Sequence, residues 1–166
     1  MSQPLVSIVI PSYNHEKYIT QCLQSALNQT WQNIEILVVD DGSTDNSRAI
    51  LEGFGHYQNI HLHFQENKGS SAAINRGIAL AKGAYISILN SDDCYASTRV
   101  EQLLQMAQTH AEPCLLATGV ELIDEQGEVL PEDFWWNRMY ADMVARWQGT
   151  DAQEQESRYD ILSWGN

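Results

Sequence analysis

Three observations in the 166-residue sequence predict an α/β protein with a mostly parallel, doubly wound sheet. Apolar, β-branched runs alternate with stretches of helical apolar spacing. The lengths of these segments suit right-handed crossovers, and polar clusters follow the strands at Ser12-Tyr13-Asn14, Asp40-Asp41 and Asp92-Asp93. In such sheets ligands bind at the carboxyl ends of the strands, so the three clusters are expected to converge on one edge.

The first strand is Leu5-Val6-Ser7-Ile8-Val9-Ile10, nearly continuous and apolar as a strand covered on both faces should be, and Pro11 is expected to end it. Ser12-Tyr13-Asn14-His15 forms a turn. Behind it Tyr18, Ile19, Cys22, Leu23, Ala26 and Leu27 recur at helical spacing. The second strand, Ile34 to Val39, runs into Asp40-Asp41-Gly42-Ser43-Thr44-Asp45. Asp45 or Ser43 is placed to cap the next helix, whose apolar side is Ile50, Leu51 and Phe54 and which Gly53 and Gly55 close. Strict alternation over Ile60-His61-Leu62-His63-Phe64 predicts a half-exposed edge strand with both histidines on one face. An i, i+2 histidine pair can bind metal, but no third ligand is placed nearby.

After a turn from Gln65 to Ser71, the residues Ala72, Ala73, Ile74, Ile78, Leu80 and Ala81 mark a helix that Gly83 stops, and Ala84 to Leu89 form the fourth strand. Val100, Leu103, Leu104 and Met106-Ala107 make another amphipathic helix, and Cys114 to Val120 a further strand. Glu121 to Leu130 reads as a hairpin turning at Gln126-Gly127. Composition then shifts. Phe134-Trp135-Trp136 with Tyr140, Met143, Val144 and Trp147 reads as a helix with a broad aromatic side, suited to core packing or to a sugar or partner, and Asp151 to Ser157 as a polar connector.

The fourth strand carries the chemistry. Ile86-Ser87-Ile88-Leu89-Asn90-Ser91-Asp92-Asp93 is an apolar run that stops at two adjacent carboxylates. Two anions at the tip of a buried strand repel each other and lose hydration, so they are more useful there if a cation or a ligand hydroxyl compensates them. The plainer reading is that Asn-Ser-Asp-Asp is loop chemistry that caps the next helix at Ser97-Thr98.

Composition excludes several partners. Nine Lys and Arg against 22 Asp and Glu give a net charge of −13, which argues against polyanion or nucleic-acid binding by surface charge. Residues 121–166 hold 11 of the acids against three arginines. Cys22, Cys94 and Cys114 are an odd number without a Cys-x-x-Cys pairing, which favours a reduced compartment over a disulfide framework. Cys94 directly follows Asp93, although a free cysteine is more often a small buried apolar group. No apolar run approaches the roughly 20 residues that span a bilayer, and Met1-Ser2-Gln3-Pro4 lacks the start of a signal peptide, so a cytoplasmic place is expected.

The motifs Val6 to Asn14, Ser25 to Thr30, Glu35 to Asp45, Asn67-Lys68-Gly69 with Ala72 to Gly77, Ala81 to Tyr85, and Asn90-Ser91-Asp92-Asp93 together resemble the family 2 glycosyltransferases of the Rossmann-like GT-A fold. The resemblance covers about residues 5–100, with several motifs in the right order and spacing. It implies a nucleotide-sugar-binding GT-A domain over residues 1–120, and over 121–166 the hairpin, the aromatic helix and the start of an incomplete acceptor-side region. The implied reaction moves a sugar from a nucleotide diphosphate sugar, usually a UDP-sugar, to a hydroxyl of a saccharide or lipid-linked acceptor, with inversion. By the same resemblance Pro11, Tyr13, Asn14, Asp41 and Asp92 are the nucleotide-binding set. Tyr13 would stack on the base, the Pro11 backbone would lie against the nucleoside, and Asp41 would accept from the base imide. Asp93 would ligate Mn or Mg, with Asp92 reaching the ribose or the metal.

Two departures stand out. Asn90 occupies a position that is often Asp in the family, which removes one charge from the metal site. No general base is placed: Glu154, Glu156 and Asp160 are available acids outside the family's context.

Other readings remain. A sugar-phosphate nucleotidyltransferase would begin with a Gly-rich, basic phosphate loop, and Pro11-Ser12-Tyr13-Asn14-His15 has neither glycine nor arginine. A signalling receiver domain would need a lysine at a later strand end, and the last lysine is Lys82. A non-catalytic domain that binds the donor or a partner is the third alternative.

Overall fold

The computed structural model describes residues 3–109, 115–118, 120–124 and 126–131. Four strands, β1 (Val6–Ser12), β2 (Ile34–Asp40), β3 (Ile60–Phe64) and β4 (Tyr85–Ile88), alternate with four helices, α1 (Ile19–Leu27), α2 (Ser47–Gly53), α3 (Ser70–Leu80) and α4 (Arg99–Ala107). The strands lie in the order β3-β2-β1-β4 and every pairing is parallel. The predicted α/β class and doubly wound sheet are therefore observed. Every residue of β1 and β2 is buried, as continuous apolar strands require.

The two faces separate by parity. Val6, Ile8 and Ile10 of β1 and Ile34, Ile36 and Val38 of β2 join α1, Leu51 of α2, and Val100 and Leu104 of α4 in one core. On the other face α3 crosses so closely that a Cβ added at Gly77 would collide with the Val9 side chain.

Three expectations are corrected. Pro11 does not end β1: it pairs with Val39, one residue before the strand finishes at Ser12. Val9 O accepts from Leu89 N, whereas Ser12 O accepts from Asp41 N. Strand alternation thus aims the Pro11 nitrogen to the β4 side, where the ladder ends with the Leu89 N–H on Val9 O, so its missing N–H leaves the pairing of β1 with β2 intact. Second, among the described residues β4 has a neighbouring strand on one side only and is not buried, with Tyr85, Ile86 and Ile88 exposed at 40%, 46% and 38%. Apolarity alone does not distinguish a strand covered on both faces from one at the rim. Third, 115–118 and Val120 form no strand where Cys114 to Val120 was expected to, and Cys114 itself lies outside the described residues.

The register of β4 is set at the sheet's opposite end. Buried Ser7 Oγ donates to Glu35 Oε1 at 2.6 Å, and the same oxygen accepts Lys82 N at 2.7 Å. Gly83 N donates to Ser7 Oγ at 2.8 Å, and a Cβ at Gly83 would stand 2.7 Å from Ser7 N. Burial works to raise Glu35, but its Ser7 and Lys82 bonds outweigh that and hold it below the ordinary carboxylate range. This junction anchors the α3–β4 turn to both central strands.

The chain divides into two compact units, Met1–Thr118 and Gly119–Asn166. In the second, Ile123 bridges Val129 antiparallel, Asp124 Oδ1 accepts Gln126 N and Glu128 N, and Gly127 takes φ +85°. The expected aromatic helix at 134–147, the polar connector at 151–157 and the acids Glu154, Glu156 and Asp160 lie outside the described residues. Among the described residues no helix is long and apolar enough to cross a membrane.

Candidate functional site

The tips of β1, β2 and β4 bring three loops to one edge. After β1, Tyr13 leaves the core and is 44% exposed, and Asn14 adopts φ +55°, a left-handed conformation that asparagine tolerates. Asn14 Oδ1 accepts Thr44 N at 2.7 Å, and Asn14 N donates to Ser43 Oγ at 2.9 Å. Asn14, a candidate ligand contact, thus also fastens the β1 loop to the β2 loop. Pro11 is buried within β1, and the hydroxyl of its neighbour Ser12 is buried without a hydrogen-bond partner among the described residues.

At the β2 tip, Asp40 accepts both the N–H and the hydroxyl of Ser43. Asp41 is 2% exposed. Its Oδ1 accepts Gln65 Nε2 at 2.6 Å and Lys68 N at 2.9 Å, and its Oδ2 accepts Gly69 N at 2.7 Å. Gln65 Oε1 in turn receives Arg76 Nη1 at 3.0 Å. The carboxylate therefore ties β2 to the start of α3. A carboxylate offers about four lone-pair directions, so one remains for a ligand.

Ser43, a candidate helix cap, is spent on Asp40. Neither Ser43 nor Asp45 is the N-cap of α2, which is Asn46 without a side-chain cap bond; the Asp45 carboxylate, one residue earlier, accepts Ser47 N at 2.9 Å and Glu16 N at 3.0 Å.

Beyond β4, Leu89 is buried and Asn90 to Asp93 form a turn closed by Asp93 N donating to Asn90 O at 3.1 Å. The turn is clamped on both sides. His15 Nδ1 lies 2.7 Å from Ser91 Oγ. Downstream, Tyr95 OH donates to Ile88 O at 2.6 Å, Tyr95 N donates to Ser25 Oγ at 3.0 Å, and buried Gln29 Nε2 reaches Ala96 O at 2.9 Å. Asp92 and Asp93 themselves are exposed. Asn90 Nδ2 donates to Asp93 Oδ2 at 3.1 Å, a bond that an aspartate at position 90 would not make. Partial burial, assisted by Asp92, raises Asp93 above the ordinary carboxylate range against the Asn90 bond and the nearby His15. The pair does not cap α4: Thr98 precedes that helix and makes no side-chain cap bond.

Among the described residues no three His, Cys, Asp or Glu side chains gather as a metal cage. The donor set still suits Mg or Mn. Such ions bind through one or two carboxylates and complete their shells with water and substrate phosphates, and Asp92 and Asp93 are two hard, accessible oxygen donors. His61 and His63 share one face, beside Glu35, Leu37, Leu80 and Lys82 around a cavity of about 140 Å³. Burial, with Arg76 and His61 adding to it, lowers His63 below the ordinary histidine value. Burial, then Asp93, raises the Cys94 thiol, which keeps it protonated rather than nucleophilic.

Sequence reasoning did not single out His15, Ser91, Gln65 or Arg76. His15 directly follows the Ser12-Tyr13-Asn14 cluster, but its partner lies 76 residues away, beyond any local pattern.

Comparison with known proteins agrees with this architecture. The family model for glycosyl transferase family 2 matches residues 7–156. Glycosyltransferase GlyG of Streptococcus pneumoniae is 49% identical over 106 residues, covering 63% of this chain and 35% of GlyG. Chondroitin synthase of Escherichia coli is 38% identical over 134 residues, covering 80% of this chain and 20% of the synthase. The chain thus spans a minor part of the length of these relatives. Among solved structures, S. aureus TarS in complex with UDP superposes with a TM-score of 0.59 at 29% identity, covering 63% of this chain and 32% of TarS. TarS in complex with UDP-GlcNAc gives 0.59 at 28% identity, over 65% and 32%. The GT-A fold implied by the motifs is the fold observed.

Proposed function

The chain belongs to glycosyl transferase family 2, and on that premise we propose that it is the donor-binding part of an enzyme moving a sugar from a UDP-sugar to an acceptor hydroxyl, with inversion at the anomeric carbon. The observation that carries the reading is the Asp92–Asp93 pair, exposed at the carboxyl-end edge of a parallel sheet, in a turn whose flanks are fixed by the His15–Ser91 and Tyr95–Ile88 bonds while Asp93 itself accepts only from Asn90 among the described residues. TarS, a structural neighbour, has been solved with UDP and with UDP-GlcNAc, which supports a uridine nucleotide donor.

In this reading the exposed Tyr13 ring stacks on the base and the Pro11 backbone lines the nucleoside. Asp41 offers its remaining lone pair to the base imide, and Asn14 holds the loop that carries Tyr13. Asp93 ligates Mn or Mg, and Asp92 reaches the ribose or the same ion. A bound divalent ion supplies charge neutralisation to the departing diphosphate. The residues of this chain orient the donor so that the acceptor hydroxyl attacks the anomeric carbon in line with the leaving group. The base that deprotonates that hydroxyl is not assigned, and the acceptor is a saccharide or a lipid-linked sugar. The free thiols Cys22 and Cys94 accord with a cytoplasmic place.

Calorimetric titration of UDP with and without Mn, repeated on Asp93→Ala, tests the proposal. Mn-dependent binding that the substitution abolishes is the expected result. Failure to bind UDP or any other nucleoside diphosphate would overturn it, and incubation with UDP-sugars and candidate acceptors separates transfer from donor binding alone.

A further inference from the structure

The loop after β1 and the turn after β4 meet at one imidazole. His15 Nδ1 lies 2.7 Å from Ser91 Oγ, one as donor and the other as acceptor according to the tautomer. Ser91 is 1% exposed, so this bond is sheltered from competing water. The His15 backbone is fixed independently, since its N–H donates to buried Ser47 Oγ at 3.0 Å. Tyr18 meets the ring edge-on with centroids 6.1 Å apart. The imidazole is thus a stiff strut. At one end it adjoins Asn14 and Tyr13, and at the other it grips the residue immediately before Asp92 and Asp93.

Resting on the donor reading above, we propose that His15 is a positioning residue that, through Ser91, locks the Asp92–Asp93 turn against the Tyr13–Asn14 loop. Base and cation-bound diphosphate are then held by one rigid frame. His15 acts on the carboxylates through the serine, and its loss frees the turn without removing either aspartate. Partners that orient metal-binding side chains typically contribute a factor of ten or more to metal affinity.

The test titrates Mn into the full chain saturated with UDP, reading free Mn by electron paramagnetic resonance, for wild type, His15→Ala, Ser91→Ala, the double variant and His15→Asn. Uridine, which carries no phosphate to bridge a cation, is titrated separately. Both alanine variants are expected to bind Mn about tenfold more weakly, with no further loss in the double variant and with uridine binding retained. His15→Asn, whose amide can stand where Nδ1 does, is expected to restore Mn affinity. Alanine variants that bind Mn like wild type overturn the assignment, as does an asparagine that fails to restore binding or a fall in uridine binding in step with Mn. If His15→Ala does not fold, Ser91→Ala and His15→Asn read the same bond. A wild-type chain that binds no Mn with any nucleoside diphosphate brings down the donor reading itself. Wild-type binding with unaffected variants removes only the role of His15.

Discussion

Two aspartate pairs follow two parallel strands of one sheet, and the structure uses them in opposite ways. Asp40 and Asp41 at the tip of β2 are each 2% exposed and accept five hydrogen bonds between them, from Ser43, Gln65, Lys68 and Gly69. Asp92 and Asp93 beyond β4 are exposed, and among the described residues the Asp93 carboxylate accepts a single side-chain bond, from Asn90. The difference lies in what passes over each tip. The chain leaving β3 returns across β2 and offers two backbone N–H groups and an amide, whereas no described segment does this for β4. With one lone pair left at Asp41 for a ligand, an acid pair at a strand tip is therefore not by itself a cation site. It becomes one where the fold leaves its lone pairs unspent.

The largest effect that would break this contrast is on stability. Asp41→Ala strands Lys68 N–H, Gly69 N–H and the Gln65 amide around a buried vacancy, and should cost about 3 kcal/mol in urea unfolding. Asp40→Ala removes two local bonds from one residue, Ser43, and should cost about 1–2 kcal/mol. A loss below about 1 kcal/mol at Asp41 would mean that its bonds are not structural and that the two pairs are alike. Asp93→Asn should leave stability within about 0.5 kcal/mol of wild type, as for an exposed site, while Mn-dependent UDP binding disappears.

The sequence made these pairs look equivalent because its signals are local. Continuous apolar runs, one period-two stretch and helical spacing located the four described strands and four described helices to within a few residues, and the turn chemistry placed the polar clusters at strand ends. Partners of Asp41 lie 24 to 28 residues away and that of His15 lies 76 away, so no spacing rule reveals them. Pro11 misled for the same reason. Whether a proline ends a strand depends on which neighbour its nitrogen faces, and that neighbour is β4, far along the chain. The exposure of Tyr85, Ile86 and Ile88 was equally hidden, since edge and centre are properties of strand order.

Acid titration offers the smallest and sharpest test, because Asp93 and Asp45 are displaced in opposite directions. Burial, aided by Asp92, raises Asp93 in the metal-free protein, so the folded chain holds that proton more tightly than the unfolded chain does. Ionised Asp93 consequently opposes folding above its folded pKa. The penalty shrinks as pH falls through that value and is gone below the ordinary carboxylate range, about pH 4. Asp45, in the loop after β2, is the reverse. Burial works to raise it, but bonds from the Ser47 hydroxyl and N–H and from Glu16 N–H outweigh that and lower it. Its contribution is therefore full above the ordinary range and is lost as pH falls through its lower folded value. In metal-free chemical denaturation, Asp93→Asn should equal or exceed wild type at pH 7 and lose that advantage on acidification toward about pH 4. Asp45→Asn should be the weaker protein at pH 7 and should close the gap only below about pH 4. If the Asp93→Asn difference were flat with pH, its carboxylate would be fully hydrated and the contrast between spent and unspent acids would lose its electrostatic half. The hydrogen-bond contrast would then stand alone, resting on the Asp41 result.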